Sequence, residues 1–124
     1  MYPLSREKKL EAASSILSTA MEGGSGYWCQ VEGYRWSDKP RFKVEPLKLF
    51  ELDETEGSYT IEHQMDEEKI LKAIEELAKG VPGDYSGIYA VCHGLLDMGT
   101  EQDFDANDAD FILQHAVFGK QVYG

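Results

Sequence analysis

The sequence predicts an α+β fold, three or four helices packed on a small and mostly antiparallel sheet with one clear hairpin, and three observations carry that prediction. Apolar residues recur at the three-four spacing of a buried helix face in separated stretches near the start, middle and end of the chain. Between them Tyr59, Ile61, His63 and Met65 alternate with Ser58, Thr60, Glu62 and Gln64, the period-two pattern of a strand with one face in and one face out. The stretch Gly23-Gly24-Ser25-Gly26-Tyr27-Trp28 sets three glycines directly before two of the largest side chains, which reads as a corner with anchors. The glycines are expected to let the backbone leave a helix through left-handed angles, and the rings to fix the direction of the chain beyond them.

Taken in order, Ser5 caps a helix over residues 5–22 whose inner face holds Leu10, Ala13, Leu17, Ala20 and Met21, with Gly23 and Gly24 as its stop. From Tyr27 to Trp36 an aromatic run broken by Gly33 predicts a short strand, a turn and a return, and Trp36 to Pro40 is turn chemistry. Phe42 to Leu52 reads as extended, with Pro46 marking an edge or an irregularity because proline cannot donate to a ladder. Asp53 to Gly57 is a hairpin loop leading into the alternating strand. Asp66 caps a second helix striped by Ile70, Leu71, Ile74, Leu77 and Ala78 and ended by Gly80, after which Pro82-Gly83 forces a turn. Residues 86–98 suit a helix through Ile88, Val91, Cys92 and Leu95, although Ile88 to Val91 alone also suits a strand. A last helix begins near Asp105 or Asn107 and runs to Phe118, Gly119 stops it, and Val122 and Tyr123 are apolar enough to dock.

With 124 residues and no internal repeat, the chain reads as one domain. No apolar run is long enough to cross a bilayer and no leader pattern opens the chain, so the expected location is the cytoplasm, with no membrane partner. Cys29 and Cys92 stand without motif spacing and read as buried thiols in a reducing compartment.

Charge is the strongest compositional signal. Twenty-three acids against twelve Lys and Arg give a formal net charge of −11, and the imbalance lies in residues 51–124, which carry −13 against +2 for residues 1–50. Asp97, Glu101, Asp103, Asp105, Asp108 and Asp110 place six acids in fourteen residues with no Lys or Arg among them. Glu51, Asp53, Glu54 and Glu56 crowd the hairpin. Such a chain repels nucleic acid phosphates and attracts the proteins that bind them. If the two blocks share one face, that face competes with DNA or RNA for a cationic groove; a merely solvated acidic surface is the plainer alternative.

Opposed to the acids stands Tyr34 to Lys43, four cations against one acid, with Tyr34, Trp36 and Phe42 interleaved. Together with Tyr27 and Trp28, the residues Tyr34, Arg35, Trp36 and Arg41 form a candidate small-ligand site, in which rings stack a base and arginines hold a phosphate. Rings packed in the core with the cations reaching outward are the competing account.

Other chemistry finds little footing. Asp103-x-Asp105-x-Asn107 begins like a calcium loop, but Asp108 and Gln114 occupy the positions of the required glycine and bidentate glutamate, so helix capping is the better account and no metal site is assigned. The glycine stretch comes after a helix instead of before one and lacks a Gly-Lys-Ser/Thr ending, which argues against a nucleotide hydrolase. Cys92-His93 are adjacent in sequence, which does not place a base against a thiol in space. His63 reads as a satisfied core histidine. No catalytic residue and no cofactor is assigned.

The corner Gly23 to Trp28 after an opening helix, and Asp108-Ala109-Asp110-Phe111-Ile112-Leu113-Gln114 leading to Phe118-Gly119 and Val122-Tyr123-Gly124, resemble small proteins encoded by bacteriophages and prophages. The resemblance covers about a quarter of the chain and implies a viral accessory protein working in bacterial cytoplasm, where small acidic proteins often look like inhibitors of restriction or CRISPR defences. The expectation is a non-catalytic protein that blocks a host nucleic-acid-binding defence protein without itself binding nucleic acid. A nucleotide sponge and a self-associating, homo-oligomeric structural protein are the alternatives.

Overall fold

A computed structural model describes residues 4–32, 47–80 and 87–124. They form four α-helices and a three-stranded antiparallel sheet: α1 (Arg6–Thr19), β1 (Cys29–Glu32), β2 (Leu47–Asp53), β3 (Ser58–Met65), α2 (Glu67–Leu77), α3 (Ile88–Met98) and α4 (Ala106–Phe118). The α+β prediction holds. The expected turn over residues 36–40, the irregularity at Pro46 and the Pro82-Gly83 turn lie outside the described residues.

Helix α1 starts where Ser5 accepts a hydrogen bond from the Lys8 amide, and it buries Leu10, Ala12, Ala13, Ile16 and Leu17. Its end departs from the sequence expectation. The helix widens into a π-turn over Ala20–Gly24, closed by the Ser25 amide donating to the Ala20 carbonyl at 2.8 Å. None of Gly23, Gly24 and Gly26 takes a left-handed angle. Gly24 serves a different need, because a Cβ there would lie 2.6 Å from the Ala106 carbonyl oxygen. The glycine permits the close approach of the π-turn to the first turn of α4, whereas Gly23 meets nothing within 4 Å.

The sheet has the order β1-β2-β3, with Cys29 opposite Glu51, Leu49 opposite His63 and Glu51 opposite Ile61. Gly57 closes the β2–β3 loop at φ 71° by donating to the Asp53 carbonyl, and the Asp53 side chain accepts from the Thr55 amide. A register shift between Glu51 and Leu52 frees the Leu52 amide to donate to Trp28, which ties the hairpin to the corner. Cys29, Leu49 and Met65 are buried on the inner face, while Gln30, Glu32, Lys48, Glu62 and Gln64 face solvent. The alternation of β3 is real, but its inner face is covered unevenly: Met65 is sealed and Ile61 is 41% exposed.

Asp66 caps α2 by accepting from the Lys69 amide, and the predicted stripe of Ile70, Leu71, Ile74, Leu77 and Ala78 is buried. Helix α3 settles the ambiguity at 88–98: Ile88, Cys92 and Leu95 share a buried face, as a helical period requires. Helices α1, α2 and α4 pack on one another, α3 lies against α2, and the segment after α3 lies along α1. Ala109, Ile112 and Leu113 carry α4 into the core, and Gly119 ends it at φ 75°.

Candidate functional site

The corner and α4 meet at one carboxylate. Because Gly24 lets the chain pass so close to Ala106, the residues just beyond it reach the second turn of α4. Ser25 Oγ and Trp28 Nε1 donate to Asp110 Oδ1 at 2.6 and 2.7 Å, and Tyr27 OH and Gln114 Nε2 donate to Oδ2 at 2.6 and 3.0 Å. Asp110 is 7% exposed. Four donors aimed at two oxygens fill the acceptor sites of the carboxylate, and every one of the donors is neutral.

Gln114, fully buried, extends the network to the tail. Its Oε1 accepts from the amides of Val122 and Tyr123 at 2.8 and 2.7 Å, and its Nε2 also donates to the Tyr123 carbonyl at 3.0 Å. The Tyr123 ring stacks on Trp28 with centroids 5.3 Å apart, and its hydroxyl donates to Glu51, whose other oxygen meets His63 Nε2 at 2.9 Å. Phe118 packs against Trp28 and, edge-on, against His63. The expected docking of residues 122 and 123 is therefore made by both backbones on Gln114 and by the ring and hydroxyl of Tyr123, with Val122 46% exposed.

This geometry raises three titrations. Burial of its polar end and the bond to Asp110 push Tyr27 up to about 12; the bond to Glu51, then burial, does the same for Tyr123. Burial first, and then the charges of Asp110 and Glu51, push the Cys29 thiol up to about 12, so it stays neutral and inert near pH 7. Cys92 is buried while His93 is exposed and packs on Tyr89. Among the described residues no three His, Cys, Asp or Glu side chains are grouped to hold a metal ion.

The predicted acidic surface is corrected in three places. Asp110 is the network's centre, and Asp108 is buried in a reciprocal capping box with Asp105, each side chain accepting from the other's amide. Glu51 is turned inward to His63 and Tyr123. The α4 period is the reason for the first two: positions 108 and 110 of a helix laid on the core turn inward, where caps and donors receive them. Glu54, Glu56, Asp97, Glu101, Asp103 and Asp105 are exposed, Asp53 is half-buried in its turn, and among the described residues no Lys or Arg pairs with any of these seven. The ion pair that does form with such a cation joins Arg6 to Glu68.

The second acidic block begins at the end of α1 away from the hairpin and runs toward it. Gly99 packs on Leu4 and Lys8 at the start of α1, whereas the hairpin is tied to Gly26 and Trp28 beyond its end. An α-helix of 14 residues spans about 21 Å, which separates Gly99 from the hairpin. Residues 99–106 run between those ends, from Lys8 to Gly24, and carry the exposed Glu101, Asp103 and Asp105 along α1, with Asp97 just before them at the end of α3.

The alternative ligand site loses one member to the core: Trp28 is fully buried, its edge bound to Asp110 and its face covered by Tyr123. Tyr27 is 50% exposed, and Tyr34, Arg35, Trp36 and Arg41 lie outside the described residues. Sequence reasoning assigned Asp110 to a surface and gave Ser25 and Gln114 no role. The spacing Asp110-x-x-x-Gln114 beside a buried helical stripe, with a tryptophan elsewhere in need of an acceptor, was the available signal.

No helix among the described residues is long and apolar enough to cross a membrane. No protein-family model, no curated protein and no solved structure matches this chain.

Proposed function

We propose that this chain is a non-catalytic phage accessory protein that occupies the cationic nucleic-acid groove of a host defence protein in the bacterial cytoplasm. The observation that supports it is the run of exposed carboxylates, Asp97 at the end of α3 and Glu101, Asp103 and Asp105 on the segment laid along α1, with no Lys or Arg paired to it among the described residues. A row about 20 Å long offers a groove the spaced negative charge that it takes from a phosphate backbone. Exposed pairs would have neutralised it. The net charge of −11 steers the protein toward cationic surfaces and away from nucleic acid itself.

The test is competitive. A bacterial protein captured at low salt is released by duplex DNA or by RNA, its affinity falls steeply between about 50 and 500 mM salt, and Glu101→Gln with Asp103→Asn weakens it. An affinity indifferent to salt, or a partner that holds nucleic acid and this protein together, removes the proposal.

A further inference from the structure

Beside the Asp110 network lies a cleft of about 460 Å³ lined by Tyr27, Asn107, Asp110, Phe111, Gln121 and Gly124. We propose that it receives the guanidinium group of an arginine presented by the partner, an inference that rests on the proposed groove-blocking function and gives that partner a specific anchor.

Four features of the cleft select a planar cation. Its charged side chain is Asp110, a buried carboxylate whose four hydrogen-bond donors are all neutral, so its negative charge is shared but not cancelled. Tyr27 offers a half-exposed ring whose hydroxyl donates to that carboxylate. Donation to an anion enriches the ring in electrons and strengthens its attraction for a cation over its face. Phe111 adds a second aromatic wall, and Asn107 and Gln121 supply amide oxygens at the rim, acceptors suited to the outward N–H groups of a guanidinium. The positive end of the α4 dipole, which would otherwise oppose a cation here, is already met by the Asp105 and Asp108 carboxylates of the capping box. Among the described residues no Lys or Arg lines the cleft to receive a nucleotide phosphate. Arginine is also, with Trp and Tyr, enriched among interface anchors, and its flat head fills an aromatic slot while keeping its donors in plane.

Titration of the ¹⁵N-labelled full chain with a short arginine-containing peptide amide, and with the same peptide carrying citrulline, reads the proposal directly. Citrulline keeps the shape and removes the charge. The arginine peptide is expected to give saturable shifts at Tyr27, Asn107 and Gln121, with the citrulline peptide about tenfold weaker. Tyr27→Leu should weaken the arginine peptide by a similar factor, and Asn107→Lys, an exposed change that sets a cation at the rim, should abolish the shifts with the fold retained by circular dichroism. Equal binding of the two peptides, shifts confined elsewhere, absence of saturation, or an Asn107→Lys protein that binds normally would each overturn it. Arginine amide binding as tightly as the peptide would assign the cleft to a free small cation and overturn the partner's role. If Glu101→Gln with Asp103→Asn weakens the captured partner while Asn107→Lys does not, the cleft inference fails and the acidic row stands; the reverse result fails the row alone.

Discussion

Asp103 and Asp110 are the same residue seven positions apart in one acidic run, and they do opposite things. Asp103 lies on the segment before α4, exposed and facing water, where a carboxylate costs almost nothing and remains free to meet a partner. Asp110 lies one and a half turns into α4, buried, where a carboxylate is tolerated only because four donors converge on it. Charge composition treats the two alike. Helical period separates them, and with them the part of the acidity that builds the molecule from the part that is free to act.

Breaking that contrast gives the largest expected effect. Asp110→Ala strands the donors of Ser25, Trp28 and Gln114 in the interior, and urea unfolding should record a loss of at least about 3 kcal/mol. Asp103→Ala should stay within about 0.5 kcal/mol in the same experiment. Equal effects would mean that the network stabilises nothing.

A smaller effect separates the neighbouring glycines of the π-turn. Gly24→Ala pushes a methyl against the Ala106 carbonyl and should cost about 1–3 kcal/mol, since backbone must move to relieve it. Gly23→Ala meets open space at an ordinary backbone angle and should stabilise by about 0.4–1 kcal/mol through the unfolded chain. Thermal denaturation of the two single variants tests the pair, and a Gly24→Ala protein as stable as the parent would show that the close approach is dispensable.

The smallest effect lies at alkaline pH. Tyr27 and Tyr123 titrate from 10.0 in the unfolded chain to about 12 in the fold, so the folded state favours their neutral forms. Their contribution is complete below pH 10 and is lost as pH rises toward 12. The melting temperature should fall across that window, and Tyr27→Phe together with Tyr123→Phe should flatten the fall. A double variant with the parent's alkaline slope would contradict the assignment.

The elements that could be read from sequence are those whose signals are local. The Asp66 cap and the Ile70 to Ala78 stripe specify α2 without help from the rest of the chain, and Gly57 specifies the hairpin loop. Residues 86–98 were legible less clearly, since a buried helix and a buried strand both show continuous apolar runs. The sequence marks the corner as an anchor and suggests a conformational reason for its glycines, but at Gly24 the reason is a neighbour 82 positions later. Asp110 failed to stand out for the same cause. Its donors come from Ser25, Tyr27 and Trp28, and nothing in the local pattern of α4 announces them.

The Asp110 network draws on residues 25–28, on Glu51 and His63 through Tyr123, and on the chain from 110 to 123. A nascent chain leaving the ribosome therefore presents Trp28 long before its acceptor exists. Until α4 and the segment after it have emerged, the indole has neither its carboxylate nor its stacking ring, and the first half of the polypeptide must wait with that surface uncovered. Emergence of α4 and residues 119–123 gives Trp28 both its acceptor and its cover.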